Sequence, residues 1–155
     1  MKKKAIVLRI NYFEYYDFAE EHNKIAKSDG QVWMLKLGRK ISTHRLDALK
    51  DTDGMLVLRS DKKHGGKFFC TTLKDYYIGH PQPGMKYPKY YDELIDLYSY
   101  SREVSEEGTW LLVGLIEDMD DSAVDKLVLE KTGEPIKTLL ERCSTSCMYA
   151  IERED

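Results

Sequence analysis

The sequence predicts an α+β fold: a mixed, curved sheet of five to seven strands, tending to a partial barrel, with three to four helices. Three observations carry this. Short β-branched or alternating runs are spaced along the whole chain. Segments with apolar residues three and four apart lie between them. A strand–turn–strand pair, "MLVLRSDKKHGGKFFCTTL", interrupts the β-α alternation, which argues against a purely parallel, doubly wound sheet.

Each element follows from its local pattern. Lys4 to Ile10 is rich in β-branched residues and reads as a strand. The period then changes: Tyr15, Phe18, His22 and Ile25, with Ala19 and Ala26, mark an amphipathic helix that Gly30 can end. "QVWMLKL" (31–37) alternates, with Trp33, Leu35 and Leu37 on one face. Ser42 or Thr43 can cap a short helix through Leu49. "TDG" (52–54) turns the chain into "MLVLR", and "KFFCTTL" (67–73) returns as the second strand of a hairpin.

From Asp75 to Lys86, two prolines and two glycines predict a loop. Pro88 suits the first turn of a helix whose apolar stripe is Tyr91, Leu94, Ile95 and Tyr98. "TWLLVGLIE" (109–117) is the most apolar run and is expected as one central strand. Val124 to Leu129 fits a strand or a helix turn. Ile136, Leu139 and Leu140 belong to a helix after Pro135, and "SCMYAIE" closes the chain as a strand.

The 155 residues suit a single domain, 1–155, long enough to bury a core without a covalent staple. The net charge of −3 means that any nucleic-acid contact must use a local basic patch. Three cysteines, with Cys143 and Cys147 spaced C-x3-C and Cys70 alone, do not make a disulfide frame, and reduced thiols in a cytoplasmic protein are expected. The basic start "MKKKAIVL" has too short an apolar run for a signal peptide. No span of ~18 apolar residues predicts a membrane helix. No metal site or cofactor is expected.

"QVWMLKLGR", a short helix, "TDGMLVLRS…KFFC" and "GTWLLVGLIED" together resemble the strand layout of the PUA-like superfamily, especially EVE- and YTH-type domains. The resemblance covers roughly positions 31–117 and rests on pattern. It implies a curved sheet with a cleft that binds RNA or DNA, often through a modified base held by aromatic side chains. It carries across only Trp33, the tryptophan of the first core strand. The β-α unit at 4–30 and the acidic balance depart from that pattern.

The hairpin tip concentrates charge in Arg59, Lys62, Lys63, His64 and Lys67, with Asp61 its only acid. Gly65 and Gly66 permit close approach of the backbone, and lysines beside backbone N–H groups suit phosphate. A solvated turn explains the same residues. Arg39, Lys40, His44 and Arg45 form a second basic cluster around Gly38. Eleven tyrosines are many for this length, and Tyr76, Tyr77, Tyr87, Tyr90 and Tyr91 flank the Pro/Gly loop. They can stack on bases, meet a protein partner through the Tyr76–Tyr91 region, or pack on the sheet. Trp110 is expected in the core and Trp33 at the edge of a cleft.

Three readings therefore stand together. The first is a binding module for nucleic acid or a nucleotide-like ligand, using Trp33, Arg39, Arg59, Lys62, Lys63, His64, Lys67, Tyr76 and Tyr77. The second is a small protein-interaction or inhibitor protein of phage or mobile-element type. The third is a phosphodiesterase using two of His44, His64 and His80. Glu117, Asp118, Asp120 and Asp121 read as a solvated turn.

Overall fold

The computed structural model describes residues 3–10, 17–36, 41–52, 54–60, 66–92, 109–142 and 147–153. The elements are β1 (Lys4–Arg9), α1 (Phe18–Asp29), β2 (Val32–Lys36), α2 (Thr43–Asp51), β3 (Met55–Arg59) and β4 (Phe68–Ile78). They continue with β5 (Thr109–Val113), β6 (Glu117–Asp118), α3 (Asp121–Asp125), β7 (Leu127–Leu129), α4 (Ile136–Arg142) and β8 (Cys147–Glu152). The fold is mixed α+β, with eight described strands rather than five to seven.

The strands lie in the order β2-β5-β4-β3-β1-β8-β7, and β6 pairs with β4. β1 and β3 are parallel, and the other pairs are antiparallel. The sheet is open but strongly curled. Lys36 on β2 and Cys147 on β8 are five strand spacings apart, about 24 Å on a flat sheet. Yet Met34 of β2 belongs to the same apolar cluster against which Cys147 and Tyr149 of β8 pack.

Period-two alternation divides the core. Ile6, Leu8, Leu56, Leu58, Met34 and Leu111 line the inner face against α1 and α2. Ala5, Val7 and Val57 line the outer face, where Ile136 brings in α4. Near β2 and β5 the outer face is covered by Tyr90 and Tyr91, packed on Leu35 and Trp110. These tyrosines begin a helical turn, with Tyr91 N–H donating to the Pro88 carbonyl at 3.1 Å. Leu94, Ile95 and Tyr98 of the expected stripe lie outside the described residues.

α1 has a cap at each end. Asp17 accepts from the Glu20 N–H at 2.9 Å, and Gly30, at φ 82°, donates back to the Ala26 carbonyl. Ser42 takes the cap position of α2, but its side chain makes no capping bond; its N–H donates to the Tyr149 hydroxyl at 3.3 Å. Gly54 serves close packing: a Cβ there would lie 2.8 Å from the Lys4 carbonyl oxygen.

Two strand expectations need correction. The run 109–117 is not one central strand. β5 ends at Val113, and β6 resumes at Glu117 on the same edge of β4. Gly114–Ile116 interrupt it, pinned by Asn23, whose amide donates to the Ile116 carbonyl and accepts from its N–H, both at 2.8 Å. β5 is wholly buried between β2 and β4, but the middle of the sheet is β3. The loop expected from Asp75 also starts later, because β4 runs to Ile78 with a register shift between Leu73 and Asp75. The ambiguous stretch 124–129 is both alternatives, the end of α3 followed by β7.

Candidate functional site

β1 and β3 are parallel neighbours in register, and their carboxyl ends coincide: Arg9 pairs with Arg59. On the far side of β3, Arg59 pairs with Phe68 at the start of β4. Alternation puts Arg9 and Arg59 on the face of Val7 and Val57, the outer one, and Phe68 packs against that same outer core. Three adjacent strands thus end in a lateral row, Phe68–Arg59–Arg9, at spacings of about 4.8 Å. Ser60 and Lys67 close the hairpin above the row: Ser60 N–H donates to the Lys67 carbonyl, and Lys67 N–H to the Ser60 Oγ, both at 2.9 Å.

A pocket of about 160 Å³ opens between this hairpin base and α4. Arg59, Ser60, Gly66 and Phe68 form one wall, and Lys137, Leu140 and Glu141 of α4 the other. Arg59 is only 6 % exposed, and Arg9 beside it is half-buried. Lys137 Nζ lies 3.7 Å from both Asp121 and Asp125 of α3, which hold it at the rim. The volume is close to that of an apolar cavity able to hold one benzene ring. The pocket wall therefore carries a guanidinium, an ammonium, a carboxylate and an aromatic ring, around a space about the size of one ring or one phosphate.

Of the residues singled out in the sequence, Arg59 lines this pocket, and Lys67 is exposed beside it. Lys62, Lys63 and His64 of the tip, and Arg39 of the second cluster, lie outside the described residues. Tyr76 and Tyr77 are not brought to the basic hairpin. They sit on β4 nine and ten residues beyond Lys67, about 30 Å along an extended strand. As strand neighbours they also face opposite sides. Tyr76 packs on the inner core and donates to Asp47 at 2.8 Å, and Tyr77 packs on the Trp110 cluster. Trp33 is half-buried in that cluster too, well away from the pocket. Arg45 is committed elsewhere: it bonds Glu130 at 2.6 Å and stacks 4.6 Å above the Tyr149 ring.

Among the described histidines, the one with the tightest contacts is read from the sequence only as part of an apolar helix face. His22 is fully buried. Its Nδ1 is 2.7 Å from the Phe18 carbonyl, which can only accept, so Nδ1 carries the proton. Nε2 then accepts from the Tyr91 hydroxyl, also at 2.7 Å. Burial pushes the imidazole down to about 4, opposed by its bond to Phe18. The same burial holds the Tyr91 phenol far above its ordinary value and lifts Tyr90 as well. This is a neutral, structural pair beneath Trp110, with no access for a substrate. His44 and His80 are exposed and line no part of the pocket.

Burial and the nearby Glu117 raise the Cys70 thiol, so it is a poor nucleophile at neutral pH. Lys36, 5 % exposed, is lowered by its own burial. Among the described residues, no group of three or more His, Cys, Asp or Glu side chains could hold a metal ion. No described helix is long and apolar enough to cross a membrane. Compared with family models, with curated proteins and with solved structures, the chain finds no match in any of the three.

Proposed function

We propose that the protein is a binding module for nucleic acid or a nucleotide-like ligand, and that its site is the pocket between the β3–β4 hairpin base and α4. The observation that carries this reading is Arg59, a buried guanidinium on the wall of an open pocket with Phe68 beside it and Arg9 one strand over. Cation and aromatic edge together suit a phosphate followed by a base or sugar. The position also agrees with the tendency of ligands to bind outside the carboxyl ends of parallel strands. Lys67, exposed beside the pocket, and Lys62 and Lys63, close to it in sequence, would add long-range attraction.

The PUA-like likeness is kept as part of the proposal, supported by the tryptophan strand, the short helix α2 and the curled sheet that follow one another in the expected order. The partner-surface alternative draws less support, because Tyr90 and Tyr91 are spent on the core. A two-histidine phosphodiesterase draws less as well, because neither His44 nor His80 reaches the pocket.

Anisotropy titrations with short DNA and RNA oligonucleotides at two salt concentrations test the reading. Affinity should fall with salt at a slope of about 0.7 to 0.9 per phosphate contact. Replacing Lys62, Lys63 and Lys67 by glutamine should flatten that slope by roughly two to three, with the thermal midpoint nearly unchanged. Absence of binding at low salt for every oligonucleotide would end the proposal.

A further inference from the structure

We infer that residues 85–92 form a strap over the free edge of β2, latched by the bond between His22 and Tyr91, and that uptake of a proton by His22 favours its release while the rest of the sheet stays folded. The device involves none of the pocket residues and does not depend on the ligand reading above. Among the described strands, β2 ends the sheet and pairs with β5 alone. A bared strand edge is a ready template for another extended segment, so folded proteins cover it. Here the cover is the strap. The Trp33 N–H donates to the Lys86 carbonyl at 2.9 Å, and Tyr90 and Tyr91 pack on Leu35.

The strap can leave as a unit. Backbone bonds from Met85 to Gln82, from Tyr91 to Pro88 and from Asp92 to Lys89 shape it locally, and the Tyr87 hydroxyl donates to Asp92 at 2.6 Å. None of these bonds uses the sheet. Gly79 and Gly84 lie at φ 136° and 92°, where the backbone can pivot. Ring packing of Tyr87 and Tyr91 on Trp110, the Trp33 bond to Lys86, and the Tyr91 hydroxyl on His22 Nε2 at 2.7 Å hold the strap in place.

The last of these contacts is the one acid breaks. A proton on Nε2 removes the acceptor and leaves a charge in a fully buried ring. The rings facing it are Tyr90 and Tyr91 of the strap and Phe18 of its own helix. Tyr90, raised first by burial, is also raised by Glu21 and Asp17 at the start of α1. With the strap closed, His22 takes up a proton only at about 4; with the strap open and the ring in water, it does so near the ordinary 6.5. The open-to-closed ratio therefore rises by up to roughly twentyfold between pH 7 and pH 5.

Amide hydrogen exchange, resolved by NMR at both pH values and corrected for the intrinsic rate, tests this. The Trp33 amide should be less protected than the Val7 and Val57 amides, and its exchange should depend less steeply on added urea, because opening the strap exposes less surface than unfolding. Its protection should fall by up to roughly twentyfold from pH 7 to pH 5, and His22→Gln should remove that fall. Tyr91→Phe, which keeps the ring and loses the hydroxyl, gives a second variant and should lower Trp33 protection at pH 7. Equal protection and equal urea dependence for the three amides would show that the strap leaves only when the whole protein unfolds, and would overturn the inference. Trp33 protection that is the same at both pH values, that falls as far in His22→Gln, or that is unchanged in Tyr91→Phe would overturn the latch.

Discussion

Acidification should weaken this fold through one residue, His22. In the unfolded chain its imidazole takes up a proton near the ordinary 6.5, whereas the folded protein refuses it until about 4. Between these values the unfolded state binds more protons, so stability falls as pH falls. Above about 6.5 the contribution is complete and constant, and below about 4 it is fully lost. A gap of that width amounts to about 3 kcal/mol at 1.36 kcal/mol per pH unit. The structural reason is geometric. A protonated ring would carry hydrogen on both nitrogens, so Nε2 could no longer accept from the Tyr91 hydroxyl, which would have to turn, and the charge would sit fully buried against the Tyr90 and Tyr91 rings. Urea unfolding of the wild type and of His22→Gln, measured at intervals from pH 7.5 down to pH 4, isolates the effect, because carboxylate titrations are common to both proteins. The wild type should lose about 3 kcal/mol more than the variant over that window. The ring Cε1–H resonance should not titrate above about pH 5. Parallel stability curves, or a normal titration near 6.5, would refute the buried neutral histidine.

Three further outcomes follow from particular contacts. Trp110→Ala should cost ~3–5 kcal/mol in chemical unfolding, because the indole is 1 % exposed and packs on Tyr87 and Tyr91; a loss below about 1 kcal/mol would contradict that burial. Thr71→Val should be neutral or stabilise by up to about 1 kcal/mol, since the Thr71 hydroxyl is buried with no hydrogen-bond partner among the described residues; a clear loss in the same assay would show that it has one. Gly54→Ala should lower the thermal midpoint, because a Cβ there would lie 2.8 Å from the Lys4 carbonyl oxygen; an unchanged midpoint would contradict that close approach.

The element order was legible because periodicity records which face each segment buries. Phe18, His22 and Ala26 fall on one helical face and are all buried, and Met55, Val57 and Arg59 share one face of β3 as period two requires. That second pattern held an unread signal: Arg59 belongs to the strand and its buried side, not to the solvated tip. The break at Gly114 could not be read, since an uninterrupted apolar run looks the same whether the strand continues or bulges. Arg9, Phe68, Lys137 and Glu141 were not singled out. Their convergence depends on strand order and on where α4 docks, and neither has a local signature. The partner of His22 is Tyr91, 69 residues away, so only the fold could reveal the pair.

The strand order also bears on how the chain can assemble. β5 lies between β2 and β4, two strands that both precede it in sequence, and β8 completes the free side of β1. During synthesis, the segment up to Asp92 therefore has β2 separated from β4 by a strand not yet made, and one edge of β1 still open. Neither portion of the chain can close its own ladder. A sheet interleaved in this way must close many loops before its pairings repay them, which slows folding. Separate polypeptides spanning the two portions would each be left with exposed strand edges, and each would be the other's missing complement.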